Sequence, residues 1–337
     1  MATWAITGAA GYIGSHVAHS LVENGINVLG IDNLSTGDLE NLPKTIDFAK
    51  IDIRETDMMA KALKVVDGVI HLAGYKYAAK SVLEPEEAIS INFHGTESLL
   101  AALEESNCKR LIFSSSCSVY GNPKKLPATE DSDIDPLTPY ANSKWMAERL
   151  LSESAIDNVS FRYFNVVGSG TSLIEDTSPY NLFPIILNSW EKGNSPAITG
   201  SDFMTRDGTA IRDYIHVSDI VSAHLACIKH MESGTSLSNV FNLSLNVGVS
   251  VLEVMNKFKK VLGDDFDFGF TERRIGDPAE IYGSSARASK ELGWSGNFSL
   301  DEMVTSAVEA RKNKLKSVQP CQQSARSDLG MQQSQFE

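Results

Sequence analysis

The sequence predicts an α/β fold, a doubly wound parallel sheet with a smaller, interwoven α/β domain, on three observations. In the first half, short apolar runs alternate with amphipathic stretches of helical length, the pattern of βαβ units that cover a parallel sheet on both faces. Gly8, Gly11 and Gly14 stand between the first apolar run and the first amphipathic stretch, where a strand turns directly into a helix. From about residue 168 the alternation fades into Ser, Gly, Thr and Pro, with helical stretches between irregular segments.

In order, residues 2–7 read as a strand, 12–24 as a helix and 27–31 as a second strand. Helix 57–64 then precedes strand 68–73, helix 84–104 precedes strand 110–114, and helix 139–155 precedes strand 160–164. Further helices are expected at 181–193, 218–231, 250–262 and 299–313, with a return to the sheet near Val240–Leu243. Residues 1–168 with about 213–246 form the first expected domain; about 169–212 with 247–316 form the second. Residues 317–337, rich in Gln and Ser and almost without apolar periodicity, are expected to be a disordered tail.

The 337 residues suffice for one large or two medium domains with a substantial core. A hydrophobic content of 42% and a charged content of 22% are those of a soluble globular protein. The net charge of -13 argues against a nucleic-acid surface, which needs a basic patch. No apolar span is long enough to cross a bilayer, and the N-terminus has no basic region or cleavage site. Cysteines at 108, 117, 227 and 321 suit neither a disulfide framework nor a zinc site, so no metal is expected and free thiols in a reducing cytoplasm are the simplest reading.

The glycine turn carries the first chemistry. Glycines between strand and helix let the backbone approach a pyrophosphate, whose charge the helix N-terminus favours. Asp32 ends the next strand, 18 residues after Gly14. A carboxylate there accepts hydrogen bonds from an adenosine ribose and repels a 2′-phosphate, which favours NAD over NADP. Together these define a Rossmann-type dinucleotide-binding half.

Tyr140 and Lys144 are four residues apart and share one helical face. An ammonium beside a phenol favours the phenolate, so the pair is expected to lower the tyrosine pKa from about 10 and supply a general base. Ser116 lies just past a predicted strand, at the end of a parallel sheet that faces the ligand crevice. Its hydroxyl can hold a substrate oxygen while Tyr140 takes the proton. Alone, a Tyr-x-x-x-Lys spacing is common on helix surfaces; its weight comes from Ser116 and the glycine turn.

With those residues the chain resembles the extended short-chain dehydrogenase/reductases and, more narrowly, the UDP-galactose (UDP-glucose) 4-epimerases. The matching stretches are Ala10–His16, Asp32–Ser35, Asp52–Arg54, His71–Lys76, Asn92–Thr96, Ser114–Gly121, Arg162–Asn165, Asp207–His216 and Arg273–Asp277. The resemblance runs in order from residue 7 to about 294. It implies that Tyr12 and Ile13 lie against the cofactor pyrophosphate, with Asp32, Asn33, Leu34, Ser35, Thr36 and Gly37 around the adenosine ribose. It further implies Asp52 and Ile53 beside the adenine, Leu72, Ala73, Gly74 and Lys76 along the pyrophosphate and ribose, and Asn92 and Phe164 at the nicotinamide half. Lys144 would hold the nicotinamide ribose.

The same resemblance implies an NAD-dependent 4-epimerase that interconverts UDP-glucose and UDP-galactose through a transient 4-keto sugar, with Tyr140 as base. Dehydratases and decarboxylating relatives place an acid after the serine or threonine; here Cys117 and Ser118 follow Ser116, which points to simple re-reduction. The sugar must turn over while the nucleotide stays anchored. Arg212 and Arg274 are the candidate diphosphate clamp, because guanidinium forks match phosphate oxygens. Asn165, Asn181, Leu182, Tyr214 and Asp277 are further implied substrate contacts, and Thr199 stands where the family usually has an aromatic residue in the base pocket. A UDP-N-acetylhexosamine or UDP-uronate 4-epimerase is the alternative on this scaffold, and a non-catalytic NAD-binding sensor the alternative of another class. A homodimer through helices 84–104 and 139–155 is the implied assembly.

Overall fold

The computed structural model describes residues 2–274 and 277–332, with side chains to residue 317. Its central sheet has seven parallel strands in the order Val240–Leu243, Asp157–Tyr163, Arg110–Ser116, Gly68–His71, Thr3–Thr7, Asn27–Asp32, Asp47–Lys50. Strand order reverses on either side of Thr3–Thr7, which pairs with Asn27–Asp32 on one edge and Gly68–His71 on the other. Loops leaving the carboxyl ends there diverge and open a crevice, the usual ligand position in such sheets.

Two apolar cores sandwich the sheet. On one face Trp4, Leu21, Phe161, Phe241 and Ile228 pack beneath helices Tyr12–Glu23 and Val217–Glu232. On the other, Met59, Leu99, Leu103, Phe113 and Leu151 pack beneath helices Thr56–Ala62, Gly95–Glu104 and Pro139–Ser152. A third core, around Phe183, Ile198, Tyr214, Phe258 and Val304, organises the later part of the chain. The short helix Ala286–Leu292 contributes Ala288 and Leu292 to the first core, so it packs on the sheet although the sequence groups it with the second domain.

Two elements depart from expectation for visible reasons. The edge strand Asp47–Lys50 was not expected, because it places only half-buried Phe48 and Ala49 between two charged residues. The helix expected over 84–104 is broken into Pro85–Ile89, a π-helical turn Ser90–His94 and Gly95–Glu104. A wide turn of this kind re-aims side chains; here it carries Asn92, which is 1% exposed. The final helix runs Leu300–Gln332 through most of the segment expected to be disordered, and residues 333–337 lie outside the described part.

Four buried histidines set the acid limit of this fold. His16, His216 and His224 are pushed down to about 4 and His71 to about 3, in each case first by burial. The unfolded chain therefore binds protons that the folded one refuses as pH falls below about 6.5, and stability is lost in that direction. Each histidine contributes up to about 1.4 kcal/mol per pH unit between its unfolded and folded values. Asp213, raised to about 7 by burial, acts in the opposite sense between about pH 4 and 7 and offsets one of the four. The urea midpoint is expected to fall steeply from pH 6.5 to 4.5; a flat profile there would contradict the assignment of neutral buried histidines.

Candidate active site

A cavity of ≈ 1620 Å³ opens at the carboxyl ends of the sheet and collects almost every residue singled out in the sequence. At one end lies the glycine turn. Gly8 has φ +69°, and a Cβ on it would stand 2.6 Å from the Ala73 nitrogen; one on Gly14 would stand 2.1 Å from the Gly8 carbonyl oxygen. The close approach of the Leu72–Gly74 loop and the first helical turn therefore require glycine at both places. Gly11 precedes helix Tyr12–Glu23, whose first N–H groups face the cavity end lined by Tyr12, Ile13 and Gly14.

Asp32 is fixed beside this turn. Its Oδ2 accepts from the Ala10 N–H at 3.0 Å and its Oδ1 from the Leu34 N–H at 2.8 Å. Asn33 donates to Asp52 Oδ2 at 2.9 Å, and the side-chain hydrogen bonds of Arg54 hold the Asp52 carboxyl well below the usual carboxylate range. Ser35, Thr36, Ile53, Leu72, Ala73, Lys76 and Phe164 line the same space. A backbone cradle that a Cβ would fill, beside an oriented carboxylate, fits a dinucleotide with a free ribose diol.

Leu34, Gly37 and Asn92 do not line the cavity. Leu34, at φ 60°, packs against the first core, and Gly37 is pressed on Ala10. Asn92 braces the Tyr75 loop. It accepts from the Tyr75 N–H at 2.8 Å and donates to the Tyr75 carbonyl at 3.0 Å, with Ser143 Oγ at 2.9 Å.

Ser116, Tyr140 and Lys144 meet in the middle of the cavity. Ser116 ends its strand, with its Oγ accepting from the Ser118 N–H at 3.2 Å and the Ser118 hydroxyl at 2.9 Å. Thr138 caps the Pro139–Ser152 helix by accepting from the Ala141 N–H at 3.1 Å, and Pro139 starts its first turn. The Tyr140 N–H donates to Ser81 Oγ at 3.1 Å, which pins the helix start to the loop above it. Lys144 donates from Nζ to the Ser114 carbonyl at 2.8 Å and lies 4.9 Å from the Phe113 ring centre.

The electrostatics correct one expectation. Burial pushes Tyr140 up to about 12, while its hydrogen bond with Ser116 pulls it down. Lys144 does not lower it: its ammonium is turned to the Ser114 carbonyl, and burial brings Lys144 itself down to about 8. Four-residue spacing places both groups on one face, but the lysine's partner is decided by the nearest acceptor. Cys117 also lines the cavity, and burial pushes its thiol up to about 12, so it is no thiolate near neutral pH.

The far end holds Asn165, Asn181, Leu182, Thr199, Arg212, Tyr214, Arg274 and Asp277. Arg274 is exposed at the rim, whereas Arg212 is half-buried and donates to the Ile211 carbonyl at 2.8 Å. Gly276, within the Arg273–Asp277 motif, lies outside the described residues. Several contacts here had no clear sequence signal. Lys76 stands 3.9 Å from Asp176, which accepts from Asn181 at 2.6 Å, and Tyr77 meets the Tyr180 ring edge at 4.9 Å.

A doubly wound parallel sheet, a glycine cradle and this crevice define a Rossmann-type enzyme of the nicotinamide-dependent class. The comparisons make the class narrower: the family model described as the NAD dependent epimerase/dehydratase family matches residues 4–247. The chain belongs to that family. It is 38% identical over 319 residues to a UDP-glucose 4-epimerase of Lactobacillus helveticus, covering 91% of this chain and 96% of that one. Among solved structures it is similar to a UDP-glucose 4-epimerase from Stenotrophomonas maltophila with bound NAD and formylated UDP-arabinopyranose. That match has a TM-score of 0.88 at 30% identity and covers 94% of this chain and 100% of the other. The UDP-glucose 4-epimerase from Bifidobacterium longum in complex with NAD+ and UDP gives a TM-score of 0.83 at 32% identity, covering 93% and 99%.

Proposed function

We propose that this protein is an NAD-dependent 4-epimerase that interconverts UDP-glucose and UDP-galactose through a transient 4-keto sugar. The observation that carries the proposal is the convergence of Ser116, Tyr140 and Lys144 on one cavity, between the glycine cradle and the two arginines. Residues from Gly8 to Gly14, with Asp32, would hold the dinucleotide, and Lys144 its nicotinamide ribose. Bound there, NAD would supply the hydride acceptor and donor that the C4 carbon needs.

Tyr140 takes the proton of the C4 hydroxyl, held in place by the Ser116 hydroxyl, and later returns a proton to the same oxygen. Atoms and electrons balance over the cycle, because one proton and one hydride leave and both come back. Arg212 and Arg274 anchor the diphosphate, and the anchoring leaves the ketopyranose free to turn. Cys117, as a neutral thiol after Ser116, offers no acid for loss of water.

We also take the protein to act in the cytoplasm, where Cys108, Cys117 and Cys227 stay as the free thiols they are here. Homodimers through the Pro85–Glu104 and Pro139–Ser152 segments complete the proposal; light scattering checks it. The reaction itself is tested on two samples: extraction identifies the nucleotide held by one, and the other, unextracted, is incubated with UDP-glucose without added cofactor. NMR is expected to show UDP-galactose. Turnover of only a UDP-N-acetylhexosamine or UDP-uronate would sink the glucose assignment, and steady accumulation of reduced cofactor would indicate a net dehydrogenase.

A further inference from the structure

Glu148 lies one turn beyond Lys144 on the Pro139–Ser152 helix, behind the cavity rather than in its lining. Its partner is Arg162 on the Asp157–Tyr163 strand, and both side chains are 3% exposed. The guanidinium grips the carboxylate twice, Nε to Oε1 at 3.0 Å and Nη2 to Oε2 at 2.6 Å. Ser115, the residue before Ser116, donates its hydroxyl to Glu148 Oε1. Arg162 Nη1 donates to the Tyr120 hydroxyl at 2.9 Å, which donates to Asn242 Oδ1 at 2.6 Å. Glu148 thus belongs to the helix of Tyr140 and Lys144 and bonds directly to the strand of Ser116.

A buried ion pair is a weak source of net stability, since desolvation cancels much of its attraction. Its position suggests another role. Of the titratable or charged groups near Lys144, Tyr140 and Glu148 share its helix, His71 ends a neighbouring strand, and Arg162 lies beyond Glu148. His71 is kept neutral by burial, with its ring nitrogens 2.7 Å from Thr7 Oγ1 and 3.2 Å from Thr96 Oγ1. Among the described residues, Glu148 is the charge that favours the Lys144 ammonium against the pull of burial.

We propose that Glu148 is the positioning residue of proton transfer, holding the Tyr140–Lys144 helix in register with the Ser116 strand and setting a carboxylate one helical turn from the Lys144 ammonium. The proposal rests on the epimerase reading for its activity measurement but not for its titration measurement. Two variants of the full-length protein separate charge from reach: Glu148→Gln keeps the shape without the charge, and Glu148→Asp keeps the charge on a shorter arm. For each, the pH dependence of kcat with UDP-glucose is recorded. In parallel, competitive acetylation of Lys144 across pH, read by peptide mass spectrometry, reports its titration directly.

In Glu148→Gln, the Lys144 titration is expected to move down by about one pH unit, and the alkaline limb of kcat with it, because the ammonium is the group placed on the nicotinamide ribose. Its kcat near neutral pH falls about tenfold while KM stays within about threefold, the signature of a lost transition-state interaction. Glu148→Asp keeps the wild-type titration but loses about threefold or more in kcat, because one arm no longer reaches both Ser115 and Arg162. A Gln variant with unchanged titration and unchanged pH profile would overturn the proposal. Should the Gln variant not fold, an Asp variant with wild-type kcat would overturn it equally. If the wild type turns over no UDP-glucose while the Gln substitution still moves the Lys144 titration, the reaction reading fails and this one stands.

Discussion

Tyr140→Phe is expected to lower kcat by roughly 10²- to 10⁴-fold, the range for a positioned general base, while the protein keeps its bound nucleotide and its melting temperature. The hydroxyl is the one polar atom lost, and its partner Ser116 keeps its bonds from Ser118. The ring stays against the same wall and the Tyr140 N–H keeps its bond to Ser81. Wild-type turnover by this variant would remove Tyr140 from the chemistry. Loss of the nucleotide with the activity would assign it to binding instead.

Arg162→Met is expected to cost about 3–5 kcal/mol of stability, because it strands the Glu148 carboxylate in the core without its guanidinium. Glu148 and Arg162 are among the most deeply buried charged groups in the described chain, and Tyr120 loses a donor in the same substitution. A second change, Glu148→Leu, placed on the Met variant should recover most of that loss, since it removes the stranded charge. Urea denaturation of the two proteins measures both effects. If the double variant is as unstable as the single one, the damage comes from packing around Tyr120 and not from the charge.

Much of the fold was legible because its signals are local. Gly8 and Gly14 mark a turn that only glycine can make, and buried parallel strands read as apolar runs. Asp47–Lys50 escaped notice because an edge strand needs little apolar surface. The π turn at Ser90–His94 escaped because no composition distinguishes it from the helices around it.

The site divides along the same line. Spacing and strand position suffice to bring Ser116, Tyr140 and Lys144 to one cavity; the electrostatics there are set by tertiary neighbours. The nearest acceptor to Lys144 is a carbonyl contributed by a strand thirty residues away. Glu148 continues the four-residue spacing that picked out Tyr140 and Lys144, yet its meaning depends on Arg162 and Ser115, which arrive from other strands. Asn92, expected at the cofactor, braces the Tyr75 loop, a placement set by the wide turn that carries it.

The central claim is that hydrogen leaves C4 and returns to the same carbon without exchange, while Tyr140 handles only the proton. UDP-glucose deuterated at C4 tests it most directly, in ordinary water and with no added cofactor. UDP-galactose that retains the deuterium at C4 is expected, with conversion abolished in Tyr140→Phe. Product that has exchanged its C4 deuterium for solvent hydrogen would contradict the account.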